Sequence, residues 1–83
     1  MKHTKVTVPW REGLHLRYAV KLVKVAREFR STIVVRCEGR IADLRSIISV
    51  LALCATLGSV LEIDVDGDDE QDAASSVEQI FLG

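Results

Sequence analysis

Between Leu16 and Phe29 the apolar residues Ala19, Leu22, Val23, Ala26 and Phe29 recur at helical spacing, whereas Thr4–Val8 and Thr32–Cys37 on either side alternate every second residue. This change of period is the strongest constraint on the fold, because the helix must bury its stripe against the apolar face of a sheet. The chain has 83 residues, and a domain of that size buries only about 60% of its extended-chain surface. One efficient core, and hence one domain over 1–83, is all it can build.

The remaining segments fill in the order. Pro9 stops the first strand, in which Val6 and Val8 share one side. Opposite the helix stripe, Arg17, Lys21, Lys24, Arg27 and Glu28 form a largely basic face. CEGR supplies a Gly-centred turn into RIAD, which predicts a hairpin over 33–43. Ser46 then opens IISVLALCATLG, read as a helix closed by Gly58. Its apolar residues wrap nearly all round, so some of Ile47, Ile48 and Leu51 must be left at the surface. Val60–Asp66 alternates again, and Asp68 or Asp69 is placed to cap a last helix over Glu70–Leu82 with the stripe Ala73, Val77, Ile80 and Phe81. The order β-α-β-β-α-β-α defines an α+β domain with helices over one face of an antiparallel or mixed sheet.

Several function classes drop out. Cys37 and Cys54 show no CxxC spacing and are read as reduced core residues. His3, placed in a fraying N-terminus, His15 and the cysteines offer no pair at zinc-ligand spacing, so no metal site is expected. EIDVDGDDE begins like a calcium loop, but Ala73 stands where the bidentate glutamate belongs, and the run reads as a solvated strand face. No nucleotide-binding loop is present and no cofactor is expected. MKHTKVTVPW has no signal-type apolar core and no segment reaches membrane-span length, so a cytoplasmic protein with no membrane insertion is expected.

Charge is unevenly spread. All eleven Lys and Arg residues lie at or before Arg45, while eight of the twelve acids lie at or after Glu62. A basic front suits phosphate groups or an acidic protein face. Nucleic acid fits least, because no aromatic stacking pattern accompanies the charge, and no nucleic-acid partner is expected.

His15 falls just before the basic helix, where the free amides of the first turn and the positive end of the helix dipole converge. Neutral imidazole is a competent nucleophile, and Arg17 adds a charge that pairs with phosphate oxygens. An ordinary helix-start residue is the competing reading on these grounds. Ser46 has the same duality, being a plain N-cap or a phosphorylation site beside exposed apolar residues.

EGLHLRYAVKLVKVAREFRSTI and EGRIADLRSIISVLALCATLGSVLEIDVDGDDEQDA together resemble, in order and over nearly the whole chain, the two sequence blocks of the HPr phosphocarriers of the bacterial phosphotransferase system. The resemblance implies an open-faced β-sandwich, four antiparallel strands covered on one face by three helices. It implies a protein substrate in a relay rather than an enzyme, with His15 accepting phosphate on Nδ1 from enzyme I and passing it to an enzyme IIA partner. Arg17 would stabilise the phosphate, and Ser46 would be a regulatory site bringing in an HPr kinase/phosphorylase and a transcriptional regulator. Val20, Lys24, Arg27, Ile47, Ile48 and Leu51 would form the docking patch of a monomer. Three positions depart from the family pattern: Tyr18 replaces the usual proline, Leu16 a small residue and Arg45 the common lysine. Tyrosine relaxes the fixed φ of proline and adds an amide donor. Non-proline residues at this point also occur in the nitrogen-regulatory, NPr-like branch, which stands as the alternative together with a Ser46-dependent binding module.

Overall fold

The computed structural model describes residues 1–82. Its elements are β1 (Lys2–Thr7), α1 (Leu16–Arg27), β2 (Thr32–Cys37), β3 (Arg40–Asp43), α2 (Ile47–Leu51), β4 (Val60–Asp66) and α3 (Glu70–Leu82). The strands form one sheet in the order β1-β4-β2-β3, with every pair antiparallel. Period-two patterning decides which face is covered: Leu61, Ile63 and Val65 of β4 and Ile33, Val35 and Cys37 of β2 point inward and are buried. Onto that face α1 lays Ala19, Leu22, Val23 and Ala26, and α3 lays Ala73, Ala74, Val77 and Phe81. Both α2 and α3 pack against α1, with α2 beside β3 and α3 over β1 and β4. This is the open-faced architecture expected from the sequence.

The outer sheet face is charged, and four of its charged side chains form one connected group. Arg36 reaches Asp64 at 2.5 Å and Glu62 at 3.9 Å, and His3 Nδ1 meets Asp64 at 2.5 Å. The acidic run therefore serves strand β4, and His3 lies within β1, paired in register with Asp64, rather than in a frayed end.

Four local expectations change. The second helix ends at Leu51 instead of running to Gly58, because the chain must deliver Ala55 back to the segment before α1. Leu53 and Ala55 are buried while Cys54 between them is exposed in the left-handed region at φ 53°, an alternation no helix produces. Only Cys37 is thus a core thiol. The first helix stops at Arg27, with Phe29 half-buried beyond it. Asp69 precedes α3, but its carboxylate serves a distant segment: it accepts from the Arg30 and Ser31 amides and from the Ser31 hydroxyl. Glu70, the first helical residue, turns its carboxylate back onto the Gly67 amide ahead of the helix, at 3.2 Å.

Two glycines permit close backbone approaches. Gly13, at φ 76°, sits so near the loop after α2 that a Cβ there would lie 2.5 Å from the Ala55 carbonyl oxygen. Gly67 faces fully buried Ser31, where a Cβ would come within 2.6 Å of the Ser31 Cα. At Gly13 both the left-handed conformation and the backbone clash penalise a side chain. Gly13→Ala is therefore expected to lower the unfolding free energy by roughly 3 kcal/mol, measured by urea denaturation.

The Ser31 hydroxyl above all, then the Arg30 amide, hold the Asp69 carboxyl below its ordinary value of 3.8. A depressed folded pKa gives stability that is present above the unfolded value and lost as pH falls through the folded one. Asp69→Asn should accordingly cost stability at neutral pH, with the gap to the parent closing in acid. Urea melts at pH 7 and pH 3 test this.

Candidate functional site

His15 is the N-cap of α1. Its backbone is extended, at φ −93° and ψ −176°, and its Nδ1 accepts from the Arg17 amide at 3.3 Å. Because Nδ1 accepts, the proton of the neutral ring lies on Nε2, and that nitrogen faces the Glu12 carboxylate at 3.7 Å. The His15 carbonyl takes the Tyr18 amide at 3.1 Å and the Ala19 amide at 3.0 Å, closing the first turn. No acceptor engages the Leu16 amide among the described residues. A nucleophilic nitrogen therefore lies beside free or weakly used amides at the positive end of a twelve-residue helix.

The segment carrying His15 is fixed from below. The Leu14 amide donates to the Ala55 carbonyl at 3.0 Å, the His15 amide to the Gly13 carbonyl at 3.0 Å, and the Gly58 amide to the Val8 carbonyl at 2.9 Å. Leu14 is buried, whereas the His15 side chain is 38% exposed. The site is thus a rigid, solvent-facing corner.

An aromatic stack flanks it. Trp10 lies parallel to Tyr18, with ring centroids 3.8 Å apart and planes at 6°, and tilts against Phe81 of α3 at 5.1 Å. Tyr18 in turn meets the His15 ring edge-on at 5.0 Å. Arg17 and Lys21 each place a cation 5.7 Å from the Tyr18 centroid. The amide that tyrosine adds relative to proline is not idle, since it bonds the His15 carbonyl.

The other residues singled out from the sequence occupy two helices that pack on each other. On α1, Val20 is half-buried, and Lys24 and Arg27 are exposed. Arg27 is tied down by donating to the Arg45 carbonyl at 3.2 Å, while Arg45 donates to the Phe29 carbonyl. Ser46 is the exposed N-cap of α2 and accepts the Ser49 amide at 3.2 Å. Ile48 is 80% exposed, whereas Ile47 and Leu51 are half-buried against the core. Sequence reasoning missed Trp10, Gly13 and Glu12. For Trp10 the available signal was a lone tryptophan eight residues before the lone tyrosine.

Residues 2–82 match the family described as the PTS HPr component phosphorylation site. The chain is 33% identical over 81 residues to a phosphocarrier protein HPr of Xylella fastidiosa, covering 98% of this chain and 91% of the relative. It is 43% identical over 61 residues to that of Haemophilus influenzae, covering 74% and 72%. The crystal structure of HPr-C-His from Thermoanaerobacter tengcongensis superposes with a TM-score of 0.94 at 28% identity, covering 99% of this chain and 92% of the other. With its fold and nearly its full length matched, the chain belongs to the HPr family of phosphotransferase-system phosphocarriers.

Proposed function

We propose that the chain takes a phosphoryl group from phosphorylated enzyme I onto Nδ1 of His15 and hands it to enzyme IIA proteins of a sugar phosphotransferase system. The observation that carries this reading is the direction of Nδ1, the ring nitrogen turned toward the start of α1 with the Arg17 amide 3.3 Å away. The Nδ1 lone pair gives up its weak bond from the Arg17 amide and attacks phosphorus as the donor's bond to the phosphoryl group breaks, which frees that amide for a phosphoryl oxygen. The positive charge gained by the ring is stabilised by Glu12 beside Nε2. The incoming oxygens meet the Leu16 and Arg17 amides and the Arg17 guanidinium, as phosphate at a helix start does. Reversal on the next protein completes the relay, so the chain is consumed and regenerated rather than acting as a catalyst.

Docking falls to Val20, Lys24 and Arg27 of α1 with Ile47, Ile48 and Leu51 of α2, an apolar patch edged by cations that suits an acidic rim on the partner. No described helix is long and apolar enough to cross a membrane, and the proposed relay runs in the cytoplasm with enzyme I.

Incubation with enzyme I and radiolabelled phosphoenolpyruvate is expected to give an acid-labile phosphoprotein, and His15→Ala to abolish it. Label persisting in that variant overturns the assignment. Transfer from the labelled chain to a nitrogen-branch enzyme IIA in preference to a sugar-branch one would place it with the NPr-like proteins instead.

A second reading is favoured by the exposure of Ser46 next to Ile48. Phosphorylation there by an HPr kinase/phosphorylase adds about −1.5 to −2 charge at pH 7 within the docking patch, repelling an acidic enzyme I and leaving the modified face to a transcriptional regulator. Ser46→Asp should slow labelling by enzyme I severalfold while His15 stays intact. Unchanged labelling and unchanged partner binding would remove the regulatory role.

A further inference from the structure

The geometry points to Tyr18 as a positioning residue for the His15 imidazole, held in place by Trp10, a role that rests on the reading of His15 as the phosphoryl acceptor. A histidine N-cap that is 38% exposed, held by a 3.3 Å bond from an amide and by an exposed Glu12 carboxylate 3.7 Å from Nε2, can swing about its side-chain torsions unless something blocks it. Tyr18 supplies the block, presenting its ring to the imidazole at 5.0 Å with the planes 66° apart, within the range for favourable edge contact.

Tyr18 is itself immobilised three ways. Its ring lies flat on Trp10, its amide bonds the His15 carbonyl, and Arg17 and Lys21 hold cations near the ring. Trp10 is nearly buried and wedged against Phe81, which carries the restraint into the core. The series Phe81, Trp10, Tyr18 and His15 is a row of rings leading from α3 to the acceptor nitrogen.

An imidazole kept in one orientation meets phosphorus with Nδ1 already aimed, so its contribution is to the chemical step rather than to partner affinity. The phenol hydroxyl has no part in this, because the contact with His15 is made by the ring.

The test is enzyme I-dependent phosphorylation of the full chain with phosphoenolpyruvate, resolved into kcat and KM for parent, Tyr18→Leu and Tyr18→Phe. Loss of the ring in Tyr18→Leu is expected to lower kcat roughly tenfold with KM little changed, and Tyr18→Phe to restore parent values. A Tyr18→Leu protein with parental kcat, or one impaired only in KM, overturns the role, as does a Tyr18→Phe protein as slow as Tyr18→Leu. NMR of the parent alone gives an independent check. Cross-relaxation between the His15 and Tyr18 ring protons, with one His15 rotamer, is expected, and its absence overturns the role even if the variants fail to fold. If His15→Ala labels like the parent, the acceptor assignment has failed. If label is confined to His15 and Tyr18→Leu transfers at the parental rate, only the positioning role has.

Discussion

The contact between Gly13–Leu14 and Ala55 is the constraint on which the site depends. The two backbones approach closely enough that a single added carbon at Gly13 would overlap the Ala55 carbonyl, which in turn accepts the Leu14 amide. That bond sets the height and angle at which the chain meets α1, and so decides that His15, not a neighbour, becomes the N-cap. It also dictates the shape of the loop after α2, which must turn at exposed Cys54 to present Ala55. An apolar run that reads locally as two more turns of helix is spent instead on supporting the histidine.

What was legible from the sequence follows from where each constraint resides. α1 and β4 declare themselves because amphipathic period and burial agree along uninterrupted stretches, and these two fix the sheet-and-helix architecture. The end of α2 was hidden because its cause lies some forty residues away at Gly13, and the true pattern, buried Leu53 and Ala55 around exposed Cys54, appears only once that contact exists. Asp69 misleads for a similar reason: its position is that of a cap, yet Arg30 and Ser31, distant in sequence, take its carboxylate. The position of His15 and Arg17 at a helix start was legible, and that is where they lie; position alone left an ordinary helix-start residue as a competing reading. Trp10 was not legible, since it lies between elements in a segment with no period.

The replacement of proline by tyrosine after Arg17 changes how rigidity is obtained more than whether it is obtained. Proline would fix its own φ covalently. Here a hydrogen bond from the Tyr18 amide to the His15 carbonyl and a stack on Trp10 limit the same turn. The second solution projects a large amphipathic ring onto the rim of the site, beside Arg17 and Lys21, so the surface a partner meets differs from that of a proline-bearing relative.

The pairing of β1 with β4 has a consequence for the order in which this molecule becomes usable. Thr7 pairs with Val60 and Val6 with Leu61, and the adjoining bonds between Val8 and Gly58–Ser59 join segments about fifty residues apart. Closing loops of that length carries a high entropic cost, and the support under His15 continues directly from these contacts. An emerging chain that has not yet made β4 can form α1, but the β1–β4 pairing that anchors the Ala55 loop against its start is missing. The corner that carries His15 is thus seated only once β4 has closed onto β1.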